Sequence, residues 1–152
     1  MNKQSNIDIN KFVDTFENLT RLQKQNQTLM GIKKSEARIL LCIEYLSQEK
    51  DCKSIVSNIS KHLSIASPTA TELVKNLTDN GYIERHVNEN DKRFVEITLT
   101  NRGKKIVHDI NEYYDALFSG LVEKLGKQQS ELLIELLSEV NIYFSEWYSK
   151  MN

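Results

Sequence analysis

The stretch from Ser67 to Arg93, SPTATELVKNLTDNGYIERHVNENDKR, constrains this chain more than any other. It holds the only proline, Pro68, and one of the five glycines, Gly81. Proline suits the first turn of a helix, where its missing N–H is not needed, and Ser67 before it is a good N-cap. Asn80-Gly81 ends a helix, the glycine supplying a left-handed C′ position. A helix is therefore predicted from Pro68 to Asn80. Tyr82–Val87 and Phe94–Thr100 then alternate as strands do, with Ile83, Arg85 and Val87 in one and Val95, Ile97 and Leu99 in the other. The six polar residues between them form a turn. A capped helix followed at once by a charged hairpin is an order of parts that sets a helix in one groove of DNA and a wing in the next.

The flanks are helical. Ile9, Phe12, Val13, Phe16 and Leu19 recur at three- and four-residue spacing, predicting an amphipathic helix over 7–27 that Gly31 interrupts. A second helix runs from Ser35, read as its N-cap, to Gln48, and its centre, 39–43, is apolar on nearly all sides, as in a buried helix. A short helix covers 54–63. Thr100 or Asn101 caps a long helix whose stripe includes Ile106, Ile110, Tyr114, Leu117, Leu121 and Leu125, ended by Gly126. A last helix carries Leu132, Leu136, Val140, Phe144 and Trp147.

Apolar residues make up 39% of the chain and charged residues 27%, the balance of a globular protein that buries a core without disulfides. No apolar run reaches the ~20 residues that span a bilayer, and the N-terminus lacks a signal-peptide core, so no membrane contact and a cytoplasmic location are expected. The net charge is −1, which looks wrong for a DNA binder. Its distribution matters more: residues 53–105 carry nine Lys/Arg against six Asp/Glu, and the rest eleven against fifteen. A basic middle between acidic arms is a footprint that the total hides. Cys42 lies in the apolar run ILLCI and reads as a buried, inert thiol. Neither it nor Cys52 fits a metal or disulfide framework.

On the predicted helix the side opposite Ala70, Val74 and Leu77 presents Pro68, Glu72 and Lys75, flanked by Thr69, Thr71 and Asn76. Hydroxyls and a lysine suit phosphates and base edges, an asparagine suits adenine, and the helix N-terminus attracts phosphate. The candidate DNA contacts are therefore Ser67, Pro68, Thr69, Thr71, Lys75 and Asn76, with Lys92 and Arg93 at the hairpin tip, where Asp91 holds the Arg93 guanidinium. Glu72 is the awkward member: it must reach a cytosine amine, pair with Lys75 or another cation, or weaken binding. A solvated helix face that binds nothing is the bland alternative.

Ser67-Pro68-Thr69-Ala70-Thr71, Leu73-Val74, Leu77, Asn80-Gly81-Tyr82-Ile83-Glu84-Arg85, Asp91-Lys92-Arg93 and Leu99-Thr100-Asn101-Arg102-Gly103 together, in this order, resemble the MarR family of bacterial transcription regulators over nearly the whole chain. The resemblance implies a mostly α fold with a small β-hairpin wing, a winged helix-turn-helix with N- and C-terminal dimerisation helices. It also implies a homodimeric repressor on a pseudo-palindromic operator in double-stranded DNA. The helix at 67–80 then reads the major groove, and Arg93 enters the minor groove. Many members release DNA on binding a small aromatic or phenolic ligand, and others sense oxidants through a cysteine in the first helix. Residues 1–41 contain no cysteine, which puts that thiol mechanism in doubt here.

The apolar stripes agree about the dimer, because a small winged domain cannot bury two long helices alone. Residues 1–34 and 101–152 are assigned to dimerisation, through Phe12, Phe16, Leu117, Leu121, Leu136, Val140 and Trp147, and residues 35–100 to the reading head. Phe16, Tyr45, Tyr113, Tyr114 and Phe118 either line a ligand pocket or are plain core. His62, His86 and His108 are scattered without metal-ligand spacing, and no nucleophile motif or phosphate loop occurs, so neither an enzyme nor a metal or cofactor is expected. The rival is a winged helix used for protein–protein contact.

Overall fold

The computed structural model describes residues 7–50, 52–87, 89, 91–92 and 94–151. Two compact units divide at Ile110, inside a helix. The first begins with α1 (Ile9–Gln25), whose N-cap Asp8 accepts from the N–H groups of Asn10 and Lys11 at 3.0 and 3.2 Å. No residue of α1 is buried. Gly31 does more than interrupt: β1 (Thr28–Leu29) and β2 (Ile32–Lys33) pair antiparallel around Met30-Gly31, both at positive φ, +52° and +82°. Two consecutive left-handed residues make the turn whose twist matches a tight hairpin.

That hairpin moves the next helix start. α2 runs Lys34–Gln48 with Lys33, not Ser35, as its cap; the Glu36 carboxylate accepts the Lys33 N–H at 3.1 Å, and Ser35 lies inside the first turn. Ala37, Ile39, Leu40, Cys42, Ile43 and Leu46 are buried, which makes α2 the central core helix of this unit. Helix α3 spans Val56–Leu63, starting later than expected because Ser54 is committed elsewhere. Its hydroxyl donates to the Ile43 carbonyl at 3.3 Å, and its own carbonyl accepts the Ile97 N–H at 2.7 Å.

Helix α4 spans Ser67–Asp79. Its cap is Ala66 rather than Ser67: the Ala70 N–H bonds the Ala66 carbonyl at 3.0 Å, so Ser67 is already helical and Pro68 sits in the first turn. The far end follows expectation. Gly81 has φ +72°, its N–H donates to Thr78 O, and the Tyr82 N–H donates to Leu77 O, both at 2.9 Å. This is the paired bonding of a Schellman end. β3 (Ile83–Val87) and β4 (Val95–Leu99) then pair antiparallel, with Ile83 opposite Leu99 and Arg85 opposite Ile97.

Thr100 caps α5 (Asn101–Leu125), accepting the Gly103 N–H at 3.1 Å while donating to Gly81 O at 2.7 Å. Arg102 donates to Asn80 O at 2.9 Å and lies 4.4 Å over the Tyr82 ring. A Cβ on Gly103 would stand 2.1 Å from Tyr82 O, so only glycine lets α5 start here. Val107 and Ile110 complete the core with Ile59, Val74, Leu77, Ile83 and Ile97. Each such burial is worth about 1.5–3 kcal/mol.

The second unit holds the rest of α5, Gly126 at φ +81°, and α6 (Lys127–Met151). Ser130 is the one buried residue of α6. Most large apolar side chains of the second unit, Leu117, Phe118, Leu121, Val122, Leu136 and Trp147 among them, stand exposed.

Candidate nucleic-acid interface

Three elements converge on one surface of the first unit: the exposed side of α4, the start of α3 and the α4-facing side of the hairpin. Ser67, Pro68, Thr69, Thr71, Glu72 and Lys75 are exposed on α4, and Asn76 is half-buried. The Thr71 hydroxyl donates to Ser67 O at 2.9 Å. Its proton is therefore used within the helix, leaving its lone pairs and its methyl for a partner. Lys92 is exposed near the tip, and half-buried Asp91 accepts the Phe94 N–H on its carbonyl at 3.1 Å. Arg93, and with it the Asp91–Arg93 pairing, lies outside the described residues.

The hairpin is two-sided. Glu84, His86, Glu96 and Thr98 share one face, with His86 Nε2 3.7 Å from the Glu84 carboxylate and 2.9 Å from Thr98 Oγ1. Ile83, Arg85, Val87, Val95, Ile97 and Leu99 share the other. Arg85 is thus an exposed cation on the otherwise apolar side. It lines a cleft of about 340 Å³ with Ile55, Val56, Ser57, Thr71 and Phe94. Sequence reasoning did not count Arg85 among the candidate contacts. The signal was present, since a charged residue in register with Ile83 and Val87 must emerge where the hairpin meets α4. Arg85 thus emerges on the α4-facing side of the hairpin, beside Thr71, and Glu84 and Glu96 stand on the other.

The remaining predicted residues scatter. His62 stacks with Tyr45 at 4.9 Å between ring centres, and Phe16 with Phe12 at 5.7 Å. Tyr114 lies between Tyr113 and Phe118 on α5, at 5.6 and 6.1 Å. The Glu49 carboxylate beside Tyr45 raises its phenol above the usual range. Burial, then Cys52, pushes the Cys42 thiol up to about 11, which keeps it protonated and unreactive. Phe12, Leu117, Leu121, Leu136 and Trp147 are exposed, Phe16 and Val140 half-buried. No helix among the described residues is long and apolar enough to cross a membrane.

The sequence profile of the family described as transcriptional regulator SarA/Rot matches residues 21–110. This chain belongs to the SarA/Rot family of transcriptional regulators. Membership makes it a regulator rather than an enzyme. Among its relatives is the HTH-type transcriptional regulator FarR of Neisseria gonorrhoeae, 30% identical over 83 residues, which are 55% of this chain and 57% of FarR. The chain spans less than two thirds of the length of the first relatives it matches. In structure it is similar to the S. aureus MepR–DNA complex (TM-score 0.72, 23% identity, 88% of this chain and 97% of that one). It is also similar to a MarR/EmrR family transcriptional regulator from Acinetobacter sp. ADP1 (TM-score 0.67, 25% identity, 92% and 99%). The SarA/Rot chain is therefore a winged helix-turn-helix of the MarR type. The family match ends at Ile110, the point where the first compact unit ends.

Proposed function

We propose that this chain is a homodimeric repressor that binds a pseudo-palindromic operator in double-stranded DNA. Residues 35–100 are the reading head, with α4 in the major groove and the hairpin tip, Lys92 and Arg93, at the minor groove. Residues 1–34 and 101–152 join two copies. The observation that carries this is the pairing of two surfaces. One is the exposed α4 face, which carries Lys75 and has Arg85 of the hairpin beside its Thr71. The other is a set of long helices whose apolar side chains meet water in a single chain, with Leu117 50% and Trp147 52% exposed. Leaving such area in water costs about 25 cal/mol per Å², and a second copy removes it by two-fold symmetry. The 25 residues of α5 extend ~37 Å at ~1.5 Å per residue. Two reading helices of a dimer fit half-sites ~34 Å apart, one turn of DNA. The DNA complex of the structurally similar MepR supports the DNA-binding part of this reading. Release by a small aromatic or phenolic compound belongs to the proposal through the ring run of exposed Tyr113, half-buried Tyr114 and exposed Phe118.

Footprinting on the DNA flanking its own gene, repeated across salt and then with phenolic compounds added, tests this. Protection of two half-sites about one turn apart is expected. The logarithm of the affinity should fall linearly with the logarithm of salt, with a slope of about −0.9 per phosphate neutralised. No protection at any salt would favour a protein-contact role for the winged helix.

A further inference from the structure

Glu72 stands at the middle of the exposed stripe of α4, opposite the buried Ala70, Val74 and Leu77. Pro68 lies one turn before it and Lys75 one turn after. Neither the Glu72 nor the Lys75 side chain forms a hydrogen bond or ion pair with any described residue. The pairing with Lys75 that would neutralise the carboxylate is therefore not made, although the spacing of three residues allows it. Seated in the major groove, an unpaired carboxylate at this position faces the base edges between two rows of phosphates.

A carboxylate only accepts hydrogen bonds. The major groove offers two kinds of donor, the N4 amine of cytosine and the N6 amine of adenine. Adenine sets its N7 acceptor beside N6, against the second carboxylate oxygen. Cytosine has no acceptor of its own beside N4. Resting on the DNA-binding reading above, we infer that Glu72 is a specificity-determining residue that selects a cytosine in each half-site. Repulsion from phosphate then becomes useful, because it penalises every register in which the carboxylate finds no amine. Lys75, which only donates, suits the O6 and N7 acceptors of a guanine in the neighbouring pair. Together the two side chains read base pairs of opposite polarity.

The test is selection from a randomised duplex library by the full chain, with wild type, Glu72→Gln and Glu72→Ala compared. Glu72 is exposed, so neither change disturbs the core. Wild type should enrich a cytosine at one symmetric position of each half-site. In Glu72→Ala that preference should fall about tenfold, with the other positions unchanged. Glu72→Gln should move it towards adenine, because an amide both donates and accepts and matches N6 and N7. If both variants bind every sequence more tightly with the wild-type base preferences intact, Glu72 acts only by charge and the inference fails. A wild-type protein that enriches no sequence removes the DNA-binding reading, and this inference with it.

Discussion

Replacing Gly103 with alanine should destabilise the protein although it puts a better helix former into α5. The added Cβ would lie 2.1 Å from the Tyr82 carbonyl oxygen and 3.1 Å from its carbon, against 3.4 Å for ordinary contact. One side must retreat by about 1.3 Å, the difference between 3.4 and 2.1 Å. Both sides are tied. Tyr82 O accepts the Thr100 N–H at 3.1 Å, Thr100 caps the helix and bonds Gly81 O, and Arg102 holds Asn80 O. Overpacking costs about 1–3 kcal/mol and a strained hydrogen bond about 1 kcal/mol, against a gain of about 1 kcal/mol in helix propensity. The net loss is about 1–3 kcal/mol, and at about 2–4 °C per kcal/mol the Tm should fall by roughly 2–12 °C. The assay is thermal unfolding followed by circular dichroism at one fixed protein concentration, because a dimer's Tm depends on concentration. Gly120→Ala in the same helix is the control: nothing lies within 4 Å of its added Cβ, so its Tm should hold or rise. A Gly103→Ala protein as stable as wild type would refute the argument that close approach to Tyr82 fixes the start of α5.

Leu136→Asp should convert a dimer into monomers in light scattering, because Leu136 is exposed in a single chain and the substitution costs that chain little; a dimer of unchanged stability would take Leu136 out of the interface. Cys42, held protonated up to about 11, should resist iodoacetamide at pH 8 in the folded protein while Cys52 reacts, as peptide mapping of the alkylated chain would show. The folded thiol keeps its proton above the usual value of about 9 and the unfolded one loses it, so Cys42's contribution to stability is full below pH 9 and declines as pH rises towards 11.

Where a residue's conformation is set by its immediate neighbours, the sequence was a reliable guide. Pro68 and Gly81 bracketed α4 to within a residue, and the alternation from Ile83 and from Val95 found both strands. Where the outcome depends on a distant partner, it was not. Ser54 looks like a helix residue, but its carbonyl serves Ile97 across the fold. Ser35 and Ser67 have the chemistry of caps, yet the chain enters each helix one residue or more earlier. β2 pairing delivers Lys33 extended, and Ala66 accepts the first helical bond. The β1–β2 turn needs Met30 in a left-handed conformation, a choice its side chain does not advertise. In the candidate site, the outward set on α4 followed from helical geometry alone. The committed hydroxyl of Thr71 and the placing of Arg85 beside it required the hairpin to be docked. Tyr82, Arg102 and Gly103 were visible as a motif, but their joint role appears only with the 2.1 Å approach.

On the proposed reading, the charges explain why a single reading head is not enough. Lys75, Arg85, Lys92 and Arg93 give at most four phosphate-neutralising cations per head, and three when Lys75 reads a base. At a slope of about −0.9 per phosphate, four contacts lose about 150-fold in affinity between 50 and 200 mM salt, and eight lose about 2 × 10⁴-fold. Four contacts also set a low ceiling on affinity at any salt, and sequence-independent binding is only about 10⁻⁴–10⁻⁶ M at physiological salt. Specific complexes reach about 10⁻⁸–10⁻¹¹ M, so the difference must come from base contacts and from a second head. Acidic groups sharpen that requirement. Glu84 and Glu96 line one face of the hairpin, Glu72 lies within the reading stripe, and the whole chain carries −1. A dimer built this way binds random DNA poorly. On the proposed reading it holds only where both α4 helices find their bases together, with the apolar faces of α5 and α6 joining the two copies.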